Sequence, residues 1–383
     1  AVETRRQLDT YLDDDRGSLT RAGIGLRLRD GKDGARVGCK TAARPERGLF
    51  VRPEREAKWT SASPPTAAGE LPGEVRDAIE PFVLGRALAP VQQLAVQRDV
   101  RTLTMHGHEL CELAIDHVEA RANGRTATFQ EVELEVFDDV PGNERLAHGL
   151  VERLPLVFAD RDKPTRAATL LGIERPRAPD ASTDDAEEPV ARVVLGRLTT
   201  RLLAMRAAEV GVREDRDPEC VHRMRVAIRR MRSLARAFRK LWPTETGTRL
   251  LEHLGETGRH LGAVRDLDVM LEKLPAATAA LPPQLHEAGG RAIAWVRGQR
   301  DRAQRALQDW LRSPGRLDAA ARLEDDLAAI DLDGDRAREP LCVAAPRRLA
   351  KAVARLREHV DAMAADLPIE PAHRLRLAAQ RVR

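Results

Sequence analysis

The sequence predicts a multidomain protein in which an N-terminal α+β domain, an antiparallel β-barrel, precedes a C-terminal all-α domain of two pseudo-symmetric helical bundles. Three observations predict this order. Residues 1–173 alternate apolar and charged residues in several places, residues 174–189 are rich in Pro, Asp and Ala, and residues 190–383 carry apolar residues at helical spacing. A chain of 383 residues is also too long for one ordinary domain. We therefore expect two domains, 1–173 and 190–383, joined by a linker.

Charge and cysteine usage narrow the class of protein. There are 64 Lys and Arg against 60 Asp and Glu, a net charge of only +4, so any electrostatic function must come from segregated charge. The four cysteines form no CxxC pair and lack a His at zinc-ligand spacing, which predicts reduced thiols and no metal cluster. No apolar run approaches the ~20 residues of a membrane span, and no basic-then-apolar leader opens the chain. Cytoplasmic residence is the expectation.

Strands are predicted where the alternation is clearest, as in "GLRLRD", "CELAIDHVEA" and "FQEVELEVF". One face of each is apolar, and the other carries Arg27 and Arg29, or Glu131, Glu133 and Glu135. In a half-exposed sheet the charged face is simply the one in water. Because both signs recur on strand after strand, the pattern favours a closed barrel with a polar interior. Short helices are predicted at "LPGEVRDAIEPFVLG" and "NERLAHGLVERLPL".

The carboxylates of the last of these strands bear on the chemistry of such an interior. Interior Arg and Glu could simply pair with one another, and that alternative stays open. Three carboxylates on one strand face, however, repel one another unless a metal ion or Arg lies opposite.

The stretch "VHRMRVAIRRMRSLARAFRK", residues 221–240, contains eight Arg or Lys and no acid. On a helix, one stripe is basic: His222, Arg225, Arg229, Arg232, Arg236 and Arg239. A second stripe is apolar and should face the bundle core: Val221, Met224, Ile228, Met231, Ala235, Phe238 and Trp242. A solvated face would interleave acids at i and i+4, which this one does not, so an anion-binding face is favoured over a plain surface.

The first half of this helix recurs at the end of the chain. "HRMRVAIRRMR" at 222–232 matches "HRLRLAAQRVR" at 373–383 at six of eleven positions, which indicates an internal duplication. Guanidinium groups on a rigid helix suit a linear polyphosphate, and double-stranded nucleic acid would suit the charge as well. With six Phe, four Trp and one Tyr, single-stranded nucleic acid is disfavoured for want of stacking platforms.

The residues from about 189 onward resemble the CHAD family, the conserved-histidine α-helical domain. The resemblance rests on the two Arg-rich repeats and on "LGAVRDLDVML" at 261–271. It implies two antiparallel helical bundles whose His and basic residues face a groove that binds inorganic polyphosphate. The candidate polyphosphate ligands are His222, Arg223, Arg225, Arg229, Arg230, Arg232, Arg236, His373, Arg376 and Arg383. Gln380 stands where the first repeat has Arg229, so the second stripe is weaker.

The first 173 residues are similar to the CYTH family, the triphosphate tunnel metalloenzyme fold. "LDTYLDDDRGSLTRAGIGLRLRDG" resembles its second strand and LRxR motif, and "VGCKT", "VRPERE", "FQEVELEV" and "DKPTRAATLLG" follow in the expected order. The resemblance implies an eight-stranded antiparallel barrel that binds a triphosphate with Mg²⁺ or Mn²⁺. The implied catalytic, phosphate-clamping residues are Arg27, Arg29, Lys40, Arg52, Arg98 and Lys163, with Arg101 among the matched positions. The implied metal ligands are Glu54, Glu56, Asp116, Glu131, Glu133 and Glu135.

The chain departs from that family at one motif. ExExK, carried by the family's first strand, does not occur in it, so this strand is expected to be missing; the second CHAD repeat is likewise expected to be cut short. The hypothesis is a cytoplasmic protein that binds inorganic polyphosphate and has a metal-dependent tunnel that binds, or hydrolyses, a short triphosphate. The alternative is a non-catalytic polyphosphate-binding protein associated with polyphosphate granules. Nucleic-acid binding is a weaker alternative, and no membrane partner is expected.

Overall fold

The computed structural model describes residues 2–32, 34–41, 54–105, 108–136, 143–173, 186–361 and 379. The chain divides into two compact units, residues 1–177 and 178–383. The first combines an antiparallel sheet with short helices, and the second is helical in its described residues. The predicted fold class, an N-terminal antiparallel sheet domain followed by an all-α domain, is thereby confirmed. The division falls inside the predicted linker, whose bounds stay a prediction.

The first unit is built on one antiparallel sheet in the order β4-β3-β2-β1-β5-β6-β7. Its strands are β1 Glu3–Asp13, β2 Ile24–Gly31, β3 Arg36–Thr41, β4 Glu54–Lys58, β5 Ala89–Met105, β6 His108–Ala122 and β7 Arg125–Val136. The described residues thus contain seven strands rather than the eight that the resemblance implied. β1 holds the "LDTYLD" segment that the resemblance placed on the second strand, and it pairs with both β2 and β5.

Strand register decides which side chains share a face of this sheet. Asp9 lies directly opposite Arg29, and Asp116 lies between Arg98 and Glu131 on the two neighbouring strands. Because side chains alternate with a period of two, these residues project from the same face. Charged residues therefore gather on one face of a continuous sheet, as the alternation predicted.

The described residues of the first unit contain four α-helices: α1 Ser18–Arg21, α2 Gly73–Val83, α3 Asn143–Arg153 and α4 Lys163–Leu170. The predicted helices at 71–85 and 143–156 correspond to α2 and α3. Helix α4 packs on the apolar end of the charged face. Ala167 of this helix and Leu171, which follows it, belong to a buried cluster with Tyr11, Leu94 and Phe129.

In its described residues the second unit contains α5 Val190–Arg213, α6 Pro218–Ala237, α7 Thr244–Ala279, α8 His286–Arg312, α9 Pro314–Ala328 and α10 Leu341–Asp361. Helix α6 begins with a side-chain cap, since Asp217 accepts a hydrogen bond from the Glu219 backbone N–H and Pro218 occupies the first turn. All seven residues of the predicted apolar stripe, from Val221 to Trp242, are buried in one core. None of the described helices is long and apolar enough to cross a membrane.

A fully buried ionic group ties α5 to the start of α9. Glu209 accepts from Arg213 Nη2 at 2.9 Å and from Arg316, and the side chains of all three are at most 1% exposed. Two guanidinium nitrogens of Arg316, Nε and Nη1, have no hydrogen-bond partner within the described part of the chain. One carboxylate therefore serves two buried cations.

Candidate functional site

Five charged residues meet on the charged face of β5, β6 and β7. Arg98 donates from Nε and Nη2 to the two carboxylate oxygens of Asp116, at 2.8 and 2.7 Å, and Nη2 also donates to Glu133. Lys163 donates to Asp116, and its Nζ lies 3.1 Å from both Glu131 Oε1 and Glu133 Oε1. We call these five residues the carboxylate cluster. It contains three acids and two cations.

Helix α4 brings Lys163 into the cluster from outside the sheet. Asp162 caps the helix by accepting from the Thr165 backbone N–H at 3.1 Å, which fixes Lys163 in the first turn. Gln92 of β5 donates to the Pro164 carbonyl at 3.2 Å and ties the helix start to the sheet. The Lys163 ammonium thus reaches the acids from a helix that is anchored at both its start and its apolar face.

Burial and the mutual contacts of the cluster set its proton affinities. Burial acts to lower the pKa of Lys163, but Glu133, Glu131 and Asp116 outweigh it and raise that pKa. Burial acts to raise the pKa of Glu133, yet Lys163 and Arg98 hold it well below its usual range. For Glu131 burial prevails, helped by Glu133, and the pKa is raised. The cluster is an ionic network in which Glu131 takes up a proton more readily than Glu133.

A second charged group lies on β2, β3 and β4, and it contains several predicted phosphate ligands. Arg29 donates to both carboxylate oxygens of the buried Asp9, at 2.7 and 2.9 Å. Arg27 Nη2 is 3.4 Å from Glu54 and 3.5 Å from Glu56, and Lys40 Nζ is 2.8 Å from Glu54. The same face of these strands therefore also carries cations and carboxylates in alternation.

The carboxylate cluster has the donor set that a divalent metal ion requires. Asp116, Glu131 and Glu133 each offer one oxygen, and these atoms lie within 4.8 Å of one another. Hard cations such as Mg²⁺ and Mn²⁺ prefer carboxylate oxygens. The Lys163 ammonium already stands among the three as a cation, which shows that the geometry accepts positive charge. These three acids can hold a metal ion, although the identity of the ion is not fixed by the geometry.

The other predicted metal ligands lie elsewhere in the described residues. Glu54 and Glu56 are on β4, at the far end of the sheet order from β7, where they pair with Arg27, Arg36 and Lys40. Glu135 is exposed on β7 opposite Glu112. Three of the six predicted ligands thus come together.

The basic stripe of α6 lies along α7, where glycines allow close approach. A Cβ placed on Gly255 would lie 3.5 Å from Arg232 Nη2, and one on Gly262 would lie 2.9 Å from Arg225 Nη1. Arg232 Nε and Arg225 Nη1 are buried and have no hydrogen-bond partner within the described residues, and Arg225 is only 4.0 Å from Asp266. Helix α7 therefore seats two guanidinium groups, of which Arg225 has a long ion pair with Asp266.

The remaining basic residues of α6 extend this surface. Arg223, Arg229, Arg230 and Arg236 are exposed, whereas His222 is half-buried. Burial, then Arg236 and Arg259, lower the pKa of Arg232; burial, then Arg230 and Arg197, lower that of Arg201 on α5. Because neighbouring cations destabilise the charged form, an anion bound along α6 would relieve both groups.

Some predicted residues fall outside the described part of the chain: Arg52, His373, Arg376 and Arg383. Arg101, also matched by resemblance, is exposed and alternates with Arg98 onto the other face of β5. Sequence reasoning missed Asp9 and Arg36, which pair with predicted residues on the charged face of the sheet. The available signal was the period-two spacing of charges in "ETRRQLD", which places Asp9 on the same face as Arg5.

Comparison with known proteins gives two family matches. A model of the CYTH domain matches residues 1–145, and a model of the CHAD domain matches residues 196–383. Two curated relatives, both uncharacterized proteins of Mycobacterium tuberculosis strains, are 28% identical over 297 residues, which is 73% of this chain and 55% of each relative. The chain thus spans about half the length of the curated relatives it matches.

Several solved structures are similar to parts of the chain. The CHAD domain of the plant Ricinus communis is 24% identical, with a TM-score of 0.43 over 54% of this chain and 68% of its own. PptA from Streptomyces chartreusis is 19% identical, with a TM-score of 0.43 over 51% of this chain and 73% of its own. A Hippeastrum protein is described as a candidate adenylyl cyclase with a dominant triphosphatase activity. It is 18% identical, with a TM-score of 0.37 over 45% of this chain and 85% of its own.

Proposed function

Because the chain carries a CYTH domain followed by a CHAD domain, we propose that it is a cytoplasmic protein that binds inorganic polyphosphate through its helical unit. The sheet unit binds a short triphosphate together with Mg²⁺ or Mn²⁺ and hydrolyses a phosphoanhydride bond. Polyphosphate granules are the expected second location. The observation that carries the proposal is the segregation of charge into a carboxylate cluster on the sheet and an acid-free Arg stripe on α6.

The residues of the sheet unit have distinct roles in this proposal. Arg27, Arg29 and Lys40 bind the non-bridging oxygens of the triphosphate and offset its charge. Asp116, Glu131 and Glu133 hold the metal ion, which when bound supplies positive charge for the developing transition state and lowers the pKa of water. Arg98 keeps Asp116 and Glu133 oriented through the contacts described above. Burial of this face strengthens each of these interactions.

Phosphate release from tripolyphosphate tests the enzymatic part. We expect release by the full chain that depends on Mg²⁺ or Mn²⁺ and is lost in the double variant Glu131→Gln, Glu133→Gln. The matched control is Glu119→Gln, a half-buried acid of β6 whose side chain alternates onto the other face, and it should retain the wild-type rate. No release from a folded wild-type sample would remove the enzymatic claim.

Polyphosphate affinity tests the helical unit. The double variant Arg225→Ala, Arg232→Ala removes both guanidinium groups seated on α7, and we expect at least ~10-fold weaker binding of long-chain polyphosphate, since a charged hydrogen bond is worth ~1.5 kcal/mol or more. The slope of log affinity against log salt concentration should also become less steep by about one to two, because fewer counterions are released.

The control for that measurement removes the same number of arginines from another helix. Arg291 and Arg302 lie exposed on α8, and changing both to Ala should leave polyphosphate affinity and its salt dependence nearly unchanged. An equal loss in both double variants would mean that net charge rather than the α6 stripe governs binding.

Two other functions are separated by the same assays. In a non-catalytic polyphosphate-binding protein, polyphosphate binds as proposed while no phosphate is released and the Glu131 and Glu133 changes have no effect. In a nucleic-acid-binding protein, duplex DNA displaces polyphosphate at equal phosphate concentration, because the basic helix then recognises charge density alone.

A further inference from the structure

The Lys163 ammonium occupies the centre of the three carboxylates that are proposed to hold the metal ion. It donates to Asp116 and lies 3.1 Å from an oxygen of both Glu131 and Glu133. A metal ion coordinated by the same three oxygens would stand where the ammonium now stands. The lysine and the metal therefore cannot both make these contacts.

The two cations of the cluster are held very differently. Arg98 projects from the middle of β5, and its planar fork is bound to both oxygens of Asp116 as well as to Glu133. Lys163 has a flexible four-carbon stem and is attached to the first turn of α4, outside the sheet. Its ammonium can leave without moving the helix, whose backbone is tied down by Gln92 and by the cluster around Ala167. Lys163 is the exchangeable cation of the two.

Charge balance favours the exchange. With all three acids ionised, Arg98 and Lys163 leave one negative charge uncompensated. Replacing the ammonium by a divalent ion makes the cluster neutral, which a partly buried site prefers. The Lys163 side chain, once released, becomes a cation without its carboxylate partners on a face that also presents Arg29 and Arg27.

We propose that Lys163 is a built-in competitor for the divalent metal ion, and that metal entry releases its ammonium to bind the triphosphate. The proposal rests on the proposed function in that it assumes a metal ion at Asp116, Glu131 and Glu133. It has two consequences. Lys163 weakens metal binding in the absence of substrate, and metal and triphosphate strengthen each other's binding through this one side chain, since such coupling is reciprocal.

Titration calorimetry with Mn²⁺ alone, in phosphate-free buffer, tests the first consequence. The variant Lys163→Met keeps the stem and removes the charge, and we expect it to bind Mn²⁺ at least ~10-fold more tightly than the wild type because the competitor is gone. The control is Arg161→Met, which removes a cation two residues away that contacts Asp160 and Thr169 instead of the cluster. It should bind Mn²⁺ like the wild type.

Folding of the variant must be measured in parallel, since three acids without Lys163 repel one another. The variant Lys163→Gln retains a hydrogen-bond donor, and its Mn²⁺ affinity should lie between those of Lys163→Met and the wild type. Mn²⁺ should also raise the melting temperature of Lys163→Met by more than it raises that of the wild type. Equal or weaker Mn²⁺ binding by both folded variants, with no larger thermal shift, overturns the proposal.

Triphosphate binding tests the second consequence with a readout that does not depend on turnover. Mn²⁺ should increase tripolyphosphate affinity in the wild type, and this increase should shrink several-fold more in Lys163→Met than in Arg161→Met. If Mn²⁺ binding tightens in Lys163→Met while the wild type releases no phosphate, the proposed hydrolase activity is wrong and the proposed competition between Lys163 and the metal ion is supported. If the wild type releases phosphate and Mn²⁺ binding does not tighten in Lys163→Met, the proposed competition is wrong and the proposed hydrolase activity is supported.

Discussion

Replacing Glu209 by Gln is expected to lower the free energy of unfolding of the helical unit by about 3–5 kcal/mol. Glu209 is the shared carboxylate of Arg213 and Arg316, whose side chains are 0% and 1% exposed. The change leaves two buried guanidinium groups without their negative partner, and Arg316 already has two unpartnered nitrogens within the described residues. The loss measures the cost of uncompensated buried charge rather than the net worth of the ion pair.

Urea unfolding followed by tryptophan fluorescence would measure this loss. Three of the four Trp residues lie in the helical unit, so the signal reports mainly on it. The control is Glu287→Gln, which breaks an exposed pair with Arg291 one turn along α8 and should change the free energy by less than about 1 kcal/mol. A similar small change for Glu209→Gln would show that the buried group relaxes or admits water.

Acid is expected to destabilise the helical unit through His253 of α7. Burial, together with Arg316 and Arg322, lowers its pKa from 6.5 to about 4, and its Nε2 has no hydrogen-bond partner within the described residues. Glu209 and Asp326 oppose the shift only in part. The unfolded chain takes up a proton near pH 6.5 and the folded chain only near pH 4, so stability is present above the first value and is lost as pH falls toward the second. A shift of this size corresponds to about 3 kcal/mol.

The comparison of wild type with His253→Gln isolates this contribution, because the titration of other groups is common to both. The free energy of unfolding, measured from about pH 7 to about pH 4.5, should fall more steeply with pH in the wild type. The extra slope should correspond to the uptake of up to about one proton on unfolding. Parallel curves for wild type and His253→Gln would show that His253 is not held neutral in the folded chain.

The two halves of the candidate site differ in how far sequence could predict them. For α6 the prediction was nearly complete, because a helix places every third or fourth residue on one face and the apolar stripe from Val221 to Trp242 had to face the core. For the sheet, alternation predicted that Glu131 and Glu133 share a charged strand face, and the resemblance alone marked Arg98 and Asp116. Neither could predict that they are neighbours, which depends on the register between β5, β6 and β7.

Lys163 shows most clearly that the sequence alone does not predict which side chains a residue contacts. Resemblance marked it as a phosphate ligand, whereas the packing of α4 against Tyr11 and Phe129 sends its ammonium into the carboxylates. Asp9 was missed because its importance lies in its partner, Arg29, twenty residues away in sequence and directly opposite in register.

The sequence by itself determined the two-part architecture, the core stripe of α6 and its acid-free basic face, because these follow from the fixed periods of strand and helix. The tertiary structure decided which charges meet. It placed three carboxylates around Lys163, two arginines on the glycines of α7, and Glu209 between two buried guanidinium groups. Such contacts depend on strand register, helix approach and burial, which arise between segments and are therefore not encoded in the pattern of any one of them.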